Sequence, residues 1–415
     1  MTYPDSVRYL YALGNEIKSA KLGLERMTTM ARALGSPQNE CKFVHVAGTN
    51  GKGSTCAMIE AALRSSGLRT GLFTSPHLTE PTERIRIDGE DVNADVFSAA
   101  FCEVHEAAEQ LLADGTLDMH PTYFETVTLM AFLIFKRSKV DMVVLEVGLG
   151  GRLDATNIVT PALSVITPVD FDHEAFLGKS LYAIAGEKAG IIKPGIVVVT
   201  SDQRPEAAEV IARQASEMGA ALQLASMSEL EDLQFHSKGC SFRWRGLHVE
   251  CNLAGEHQAQ NALTAAAALR ALGLRDEFIA AGIRNARWPG RLELVRTNPD
   301  FYLDGAHNPA GARALAAYIR RFHSARRISL IYGAMRDKSV EEITGILFPL
   351  ADEVILVAPS QARAVRPQAL LEMSDHPSIR AQSSLAAAIA SARGEVTFLT
   401  GSLYLVGEAR PLLVQ

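Results

Sequence analysis

The sequence has few of the features that mark secreted, membrane-spanning or nucleic-acid-binding proteins. It contains only 5 cysteines in 415 residues, and none has CxxC or zinc-like spacing. An odd number of scattered cysteines in so long a chain argues against a disulfide scaffold and favours reduced, mostly buried thiols. The N-terminus lacks the basic segment and apolar stretch of a signal peptide, and no apolar run approaches the ~18 residues of a membrane span. We therefore expect a cytoplasmic protein.

The sequence also has no large excess of positive or negative charge. The formal net charge is −6, which gives no electrostatic footprint for nucleic acid or an anionic membrane, so neither partner is expected. An anionic substrate then has to be held by a local cluster of positive charge. Hydrophobic residues make up 47% and charged residues 21%, as in ordinary globular proteins. Because no coiled-coil pattern or exposed apolar stripe stands out, we expect a monomer.

The length of the chain and its pattern of apolar residues predict two α/β domains. Turn-forming residues concentrate at Trp288–Arg291, which predicts domains at 1–292 and 293–415. Alternation around glycine turns at 225–253 predicts an antiparallel hairpin insertion. In the first domain we predict helices at 5–35, 54–65, 122–137 and 258–272, and strands at 43–47, 142–145, 163–166 and 196–199. In the second we predict strands at 301–303, 328–332, 354–357 and 396–399, and helices at 309–321 and after Ser402.

The segment Gly48–Ser54 has the most informative chemistry. It reads Gly-Thr-Asn-Gly-Lys-Gly-Ser between a predicted strand and a predicted helix. A phosphate-binding loop needs a glycine-rich turn, a lysine for the terminal phosphates, a hydroxyl for magnesium and a helix N-terminus. All these parts are present, although Gly53 separates Lys52 from Ser54. The alternative is a plain glycine turn. We predict that ATP is bound by Asn50, Gly51, Lys52, Gly53 and Ser54.

This loop, with its extra glycine, resembles the loop of the Mur ligase superfamily, and more narrowly of the branch that contains folylpolyglutamate synthase and dihydrofolate synthase. Other segments resemble motifs of the same branch, in the same order, across about three quarters of the chain. They lie at 21–26, 74–78, 83–86, 146–157, 186–190, 289–291 and 303–309. The resemblance implies an α/β fold in which a P-loop domain with a mostly parallel sheet is followed by a smaller Rossmann-like domain.

The resemblance also implies a magnesium site formed by Ser75, Glu146 and His173, with Ser54 close to the metal. Glu146 directly follows a predicted strand, at the end where open α/β sheets bind ligands. Magnesium prefers oxygen ligands, so the alternative for His173 is a polar loop residue. Lys188 matches a lysine that is carbamylated in the family, which requires a neutral amine and hence a lowered pKa. A surface lysine is the alternative.

Further residues resemble the family's nucleotide contacts and catalytic groups. Asp304 and Arg291 match contacts to the nucleotide, Asn261 a contact to its base or ribose, and His307 a catalytic position. Asp304 and Asn308, which resembles a nucleotide contact as well, also precede the predicted helix at Pro309, so a capping role is an alternative for both. The alternatives for Arg291 and Asn261 are a solvated turn and a polar helix face.

A pterin-containing substrate is expected against three short segments. An aromatic pair beside a carboxylate suits a flat heterocycle with hydrogen-bond donors. The alternative is that the aromatic residues only begin a buried helix. The predicted substrate residues are Leu22, Thr122, Tyr123, Phe124, Glu125, Leu153, Asp154 and Ala155.

The activity implied by the resemblance is ATP- and Mg²⁺-dependent formation of an amide between a folate-type carboxylate and L-glutamate through an acyl phosphate. We expect both dihydrofolate synthase and folylpolyglutamate synthase activities, with folylpolyglutamate synthase alone as the alternative. A peptidoglycan Mur ligase is disfavoured, because the phosphate loop begins at residue 48 and leaves no room before it for a UDP-sugar domain. A nucleotide-dependent switch protein is the alternative outside enzymes.

Overall fold

The computed structural model describes residues 1–13 and 23–414, which form two compact units. The first unit comprises Met1–His77, Pro81–Glu229 and Gln260–Asn285. The second comprises Leu78–Glu80, Leu230–Ala259 and Ala286–Gln415. The α-helices of the described residues, α1 to α15, are Tyr3–Ala12, Glu25–Ala33, Lys52–Ser65, Ala94–Ala113, Tyr123–Ser138, Glu174–Leu177, Leu181–Ala189, Pro205–Glu217, His257–Ala271, Asp276–Asn285, Pro309–Phe322, Val340–Leu347, Pro367–Glu372, Leu385–Ser391 and Leu403–Leu413.

The strands of the same residues are numbered β1 to β17 in chain order. They are Phe43–Ala47, Thr70–Phe73, Ile85–Ile87, Glu90–Asp91, Met142–Glu146, Leu163–Ile166, Val198–Ser201, Leu222–Ala225, Glu231–His236, Gly239–Trp244, Leu247–Cys251, Glu293–Arg296, Asp300–Leu303, Ile328–Tyr332, Glu353–Leu356, Ile379–Ala381 and Val396–Thr400.

The first unit is built on an eight-stranded sheet with the order β4-β3-β2-β5-β1-β6-β7-β8. The six strands from β2 to β8 in this order are parallel, whereas β3 is antiparallel to β2 and β4 is antiparallel to β3. Strand β1 lies between β5 and β6, so the loops that follow these three strands leave the same edge of the sheet. Carboxyl ends of strands at such a position are where open α/β sheets bind ligands.

Apolar residues explain why these strands are central. All five residues of β1 are buried, as are four of the five in β5, as expected for strands covered by helices on both faces. One core cluster includes Phe43, Phe73 and residues of α4 and α5. Another includes Ile166, Val198 and residues of α7 and α8. The sheet is therefore covered by two separate apolar layers.

The second unit contains two sheets. A six-stranded sheet has the order β12-β13-β17-β14-β15-β16 and is parallel except for β12. A three-stranded antiparallel sheet has the order β11-β10-β9. The predicted antiparallel character of 225–253 is thus confirmed, and its strands at 231–251 lie in the second unit.

The α/β class predicted from the sequence is confirmed. Among the predicted elements, β7 begins two residues later than expected, at Val198, and α3 begins two residues earlier, at Lys52. The single helix expected at 5–35 is wrong within the described residues, where α1 ends at Ala12 and α2 begins at Glu25. In the described part of the chain, no helix is long and apolar enough to cross a membrane.

Candidate active site

The loop between β1 and α3 is held by the segment that follows β6. The N–H groups of Thr49 and Asn50 donate to the carbonyl of Pro168 at 2.9 and 3.3 Å. The Thr49 hydroxyl donates to the carbonyl of Asp170 at 2.9 Å and accepts from its N–H at 3.0 Å. These bonds fix the backbone of the predicted phosphate loop before any ligand binds.

Gly48 permits the close approach of these two segments. Its φ is +146°, a region that residues with a side chain rarely adopt. A Cβ atom at this position would lie 1.9 Å from the Oγ1 of Thr167. Glycine is therefore required at residue 48 for both conformational and steric reasons.

Two lysines meet at the carbonyl of Gly48. The Nζ of Lys52 donates to the carbonyls of Gly48 and Thr49 at 3.0 and 3.1 Å. The Nζ of the buried Lys188, on α7, donates to the same Gly48 carbonyl at 2.9 Å. Burial, together with the nearby charge of Lys52, lowers the pKa of Lys188 to about 7. The loop therefore has the concentrated positive charge that phosphate oxygens need, and Lys188 is partly neutral near pH 7.

Helix α3 begins at the loop with a glycine as its N-cap. Gly51 has a φ of +86°, and a Cβ atom there would lie 2.2 Å from the Oδ1 of Asn261 on α9. Because glycine has no side chain, the N-cap residue itself places no oxygen over the first N–H groups of the helix. Such a helix start is suited to an anion. Ser54 is buried in the first turn, and Gly53 stands between it and Lys52.

Glu146 ends β5 beside this loop. It is buried, and its Oε2 accepts the N–H of Ser75 at 2.9 Å. The structure therefore brings Glu146 and Ser75 together, while their role as metal ligands remains a prediction. Strand β5 pairs with β1, which leads to the phosphate loop. A buried carboxylate and nearby serine hydroxyls are oxygen donors of the kind that Mg²⁺ prefers.

His173 lies in the segment after β6, at the N-cap position of α6, with a φ of +51°. Its Nε2 is 3.8 Å from a carboxylate oxygen of Asp172, and its side chain is 29% exposed. The same segment is tied to the phosphate loop through Asp170 and Thr49. The structure therefore places His173 on a segment that contacts the loop, while a role as a metal ligand remains a prediction.

The start of α5 is fixed by a carboxylate with two partners. The Oγ1 of Thr122 accepts the N–H of Glu125 at 3.3 Å, and Glu125 accepts the N–H of Thr122 at 2.8 Å, which together form a capping box. Glu125 also accepts two hydrogen bonds from the guanidinium of Arg26, at 2.9 and 3.0 Å, in a buried ion pair. The structure therefore gives Thr122 and Glu125 a clear role in positioning this helix.

The two aromatic residues that follow Thr122 have different neighbours. The Tyr123 ring is buried and stacks on Tyr11 with a centroid distance of 5.8 Å, and the guanidinium of Arg84 lies 4.9 Å from its centroid. Phe124 is half-buried, and its ring packs against Gly148, where a Cβ atom would lie 2.5 Å from the ring. A side chain at position 148 would therefore displace the Phe124 ring.

Asp154 holds the loop between Gly148 and Thr156 in shape. Its two carboxylate oxygens accept the N–H groups of Leu149 and Thr156 at 2.8 and 3.0 Å, and the Thr156 hydroxyl donates to it at 2.5 Å. The Thr156 oxygen is also 2.8 Å from the Nε2 of His45, a buried residue of β1. Burial raises the pKa of Asp154 and lowers that of His45 to about 3. Leu153 is half-buried and Ala155 buried beside this network, whereas Leu22 lies outside the described residues.

The predicted residues of the second unit meet where β13 ends. Asp304 is buried, and its carboxylate accepts the N–H groups of Leu292 and Ala306 at 2.9 and 3.0 Å. Burial raises the pKa of Asp304, an effect partly offset by the charge of Arg291. The Nδ1 of His307 lies 2.8 Å from the carbonyl of Gly305. The Oδ1 of Asn308 caps α11 by accepting the N–H of Gly311 at 2.8 Å, so the capping role is confirmed for Asn308.

Sequence reasoning gave no role to several residues that shape these sites. Arg26 and Arg84 stood inside motifs that the resemblance used, but their partners could not be read from the pattern. Thr167 follows β6 directly, a position at which a polar residue can signal a site. His45 is a polar residue in an otherwise apolar strand, which was a signal for a buried hydrogen-bond network.

Comparison with known proteins agrees with this geometry. The Mur ligase middle domain matches residues 46–269, and the Mur ligase glutamate ligase domain matches residues 290–403. The chain is 36% identical over 411 residues to the dihydrofolate synthase/folylpolyglutamate synthase of Bacillus subtilis, covering 95% of each chain. It is 34% identical to the folylpolyglutamate synthase of Lacticaseibacillus casei, covering 100% of this chain and 99% of that one.

Solved structures are similar over the whole chain. A Mycobacterium tuberculosis folylpolyglutamate synthase complexed with ADP has a TM-score of 0.91 at 32% identity, covering 100% of this chain and 99% of that one. An Escherichia coli FolC in complex with DHPP and ADP has a TM-score of 0.87 at 33% identity, covering 99% and 97%. The chain belongs to the Mur ligase family, and within it to the group of folylpolyglutamate synthases and dihydrofolate synthases.

Proposed function

We propose that this chain is an ATP-dependent ligase that joins the carboxylate of a folate-type substrate to the amino group of L-glutamate. The observation that carries the proposal is the convergence of Lys52 and Lys188 on the Gly48 carbonyl, beside Glu146, at the carboxyl edge of the sheet. This arrangement suits a nucleotide triphosphate with its metal ion. The relatives with ADP-bound structures belong to the same family.

In this proposal the substrate carboxylate attacks the γ-phosphorus of ATP, and the bond to the β–γ bridging oxygen breaks, which gives an acyl phosphate and ADP. Lys52 and the loop N–H groups neutralise charge on the transferred phosphoryl group. The amino group of L-glutamate then attacks the acyl carbon, the amide forms, and phosphate leaves. A free carboxylate is a poor acyl donor at neutral pH, which is why activation is needed.

The nucleotide is proposed to contact Asn50, Gly51, Lys52, Gly53 and Ser54 through its phosphates. Asn261, which packs on Gly51, is the proposed contact to the base or ribose. In the second unit, Arg291 and Asp304 are the proposed nucleotide contacts, and His307 is the proposed catalytic neighbour. Asp304 serves this role through the loop that its carboxylate holds together.

The residues around Glu146 fit a magnesium ion. Glu146 is buried with one oxygen on the Ser75 N–H, and Ser54 is buried at the start of α3. We propose that Ser75, Glu146 and His173 hold Mg²⁺, with Ser54 close to the ion. When bound, the ion neutralises the negative charge of the phosphates.

Lys188 is proposed to be carbamylated. Carbamylation needs a neutral amine, and the pKa of about 7 supplies one at neutral pH. The nitrogen of the carbamate keeps one N–H, which can still donate to the Gly48 carbonyl. The modification replaces a buried positive charge with a negative one near the proposed metal site, where an anionic oxygen is more useful than an ammonium group.

The folate-type substrate is proposed to lie against Phe124 and the neighbouring loop. Phe124 is only half-buried, as expected of an aromatic residue that contacts a flat heterocycle. Thr122, Tyr123 and Glu125 position that ring through the start of α5, and Leu153, Asp154 and Ala155 form the adjacent loop. Leu22 keeps its place in the proposed substrate set. We also retain the cytoplasmic location and the monomeric state as predictions.

The decisive experiment measures phosphate release from ATP with Mg²⁺ and L-glutamate, comparing dihydropteroate, tetrahydrofolate and no acceptor. Release with both pterins establishes both activities, which the double name of the Bacillus subtilis relative favours. Release with tetrahydrofolate alone means a folylpolyglutamate synthase only. Release with neither overturns the proposed substrate. Oxygen-18 in the substrate carboxylate should appear in the released phosphate, and its absence would exclude the acyl phosphate.

A further inference from the structure

A cluster of side chains that could bind a metal ion lies on α4 and on the segment that follows it. His105 and Glu109 stand one helical turn apart on α4, and His120 lies in the segment between α4 and α5. Ligand atoms of these three residues all lie within 4.8 Å of one another. Two imidazoles and one carboxylate are a common ligand set for zinc and related transition metals.

The distances within this cluster are suited to one ion. The Nε2 of His120 is 3.2 Å from the Oε1 of Glu109, and the Nδ1 of His105 is 3.8 Å from the same oxygen. In a tetrahedral site with bonds of about 2.0 Å, neighbouring ligand atoms are roughly 3.3 Å apart. The two separations that involve Glu109 are therefore close to this value.

The two imidazole rings are already held in place. The His105 ring stacks on Phe101 with a centroid distance of 5.7 Å and on His120 at 5.6 Å. The hydroxyl of Tyr9, on α1, is 3.2 Å from the Nε2 of His120. Rings packed in this way lose little further freedom when they bind a ligand.

An unmet polar atom also points to a ligand. The Nδ1 of His105 is buried and has no hydrogen-bond partner in the described structure. Buried nitrogen atoms without partners are costly and rare, and coordination to a metal would satisfy this one.

We propose that His105, Glu109 and His120 bind one transition-metal dication of the zinc class, with water in the fourth position. The Tyr9 hydroxyl lies beside this site, and the bond to the ion replaces its contact with the Nε2 of His120. Because His120 is two residues before Thr122, the N-cap of α5, the ion ties α4 to the start of the helix that carries Phe124. The alternative is a metal-free cluster in which Glu109 pairs with protonated histidines. This proposal does not depend on the proposed ligase activity.

The test uses the full chain after removal of metals with a chelator. Zinc chloride is titrated by calorimetry in excess Mg²⁺, and Co²⁺ is titrated by visible absorption, which is intense for tetrahedral nitrogen–oxygen sites. A Glu146→Gln background removes the contribution of the proposed magnesium site. We expect one equivalent of Zn²⁺ that remains on this background, and thermal unfolding at a higher temperature with Zn²⁺ than with chelator.

Two variants and a matched control decide the outcome. Glu109→Gln removes a ligand from an exposed position, and His105→Phe keeps the ring packing but removes the nitrogen atoms. Both should weaken Zn²⁺ binding by at least about tenfold. Glu250→Gln alters another exposed His–Glu pair, with His248 on β11, and should bind like the unmodified chain. Equal binding by Glu109→Gln and the unmodified chain, or no Zn²⁺ equivalent in either, would overturn the proposal, even if His105→Phe failed to fold.

Discussion

Each unit contains a connection from a strand to a helix. The two connections have the same topology, but the N-cap residues of their helices differ. In the first unit β1 leads to α3 through Gly48–Gly51, and the N-cap residue is a glycine. In the second unit β13 leads to α11, and the side chain of the N-cap residue Asn308 accepts the N–H of Gly311. The first N–H groups of α3 receive no hydrogen bond from an N-cap side chain and can therefore bind an anion. In α11 one of these N–H groups is already bonded to the N-cap side chain. Topology alone therefore does not make a phosphate site.

The two connections also differ in the charge of the side chains around them. Lys52 and Lys188 converge on the first loop. The second loop contains a buried carboxylate, Asp304, which already occupies the N–H groups of Leu292 and Ala306. The second loop thus has an anion of its own, next to the charge of Arg291. The following predictions test this contrast, from the largest expected effect to the smallest.

Replacing Lys52 should have the largest effect. We expect Lys52→Met to lower kcat/KM for ATP by about 10³-fold, because it removes a positive charge aimed at the transferring phosphoryl group. The measurement is ATP-dependent phosphate release with tetrahydrofolate and L-glutamate. Lys42→Met, at an exposed position before β1, is the control. A loss of less than tenfold would mean that the first loop does not hold the reacting phosphate.

The activity should depend on carbon dioxide through Lys188. Because its pKa is about 7, the reactive neutral amine is scarce below pH 7 and predominates above it. Removal of carbon dioxide should reduce activity, and added bicarbonate should restore it more completely at pH 8 than at pH 6. Lys188→Ala should abolish this response, whereas Lys179→Ala, at an exposed position, should retain it. A carbamate signal in carbon-13 NMR after labelling with bicarbonate provides a direct readout.

Acid should destabilise the first unit more steeply than the second. Burial lowers the pKa of His45 and of His77 to about 3 in the first unit, and that of His257 to about 4 in the second. Between pH 6.5 and these values the unfolded chain binds more protons, so the free energy of unfolding falls as the pH falls. The slope is about 1.4 kcal/mol per pH unit for each such histidine. Asp154 and Asp304, one in each unit, have pKa values raised by burial and oppose this trend in both.

The unfolding of the two units can be followed separately. Both tryptophans, Trp244 and Trp288, lie in the second unit, so their fluorescence reports its unfolding in urea. Hydrogen exchange of peptides from β1 and β5 reports the first unit. Parallel loss of stability in both units between pH 6.5 and 5 would contradict the prediction.

Removing the cap of α11 should have the smallest effect. Asn308→Ala should lower the free energy of unfolding of the second unit by about 1 kcal/mol, and Asn308→Asp should largely preserve it. Urea unfolding followed by tryptophan fluorescence measures the change. Asn93→Ala removes an equivalent cap from α4 in the first unit and should leave the tryptophan transition in place. An effect of Asn93→Ala as large as that of Asn308→Ala would show that the units do not unfold separately.

Local patterns predicted much of the fold because they act over a few residues. The apolar runs of β1, β5, β6 and β14 were sufficient to identify buried strands, and the glycines and Lys52 identified the phosphate loop. Helix α4 was not predicted, although its N-cap Asn93 and buried residues Phe97, Phe101 and Val104 have helical spacing. The helical spacing that indicates α4 was therefore present in the sequence.

Contacts between distant residues could not be predicted from such patterns. Arg26 and Glu125 are 99 positions apart, and Lys188 and Gly48 are 140 positions apart. Their pairing depends on which strands and helices become neighbours. The resemblance to a known family identified Lys188 as important, but its hydrogen bond and lowered pKa required the fold. The cluster at His105 was missed because His120 lies outside α4 and only the fold brings it to that helix.

The bonds from Lys52 to the carbonyls of its own loop have a consequence for nucleotide affinity. They hold the side chain in an ordered position before a nucleotide arrives, so binding exchanges existing hydrogen bonds and does not have to order a mobile lysine. The enthalpy of forming the phosphate contacts is then partly offset, while the entropic loss is small. Such a loop favours rapid exchange of ATP and ADP over very tight retention, which suits an enzyme that releases its spent nucleotide in every cycle.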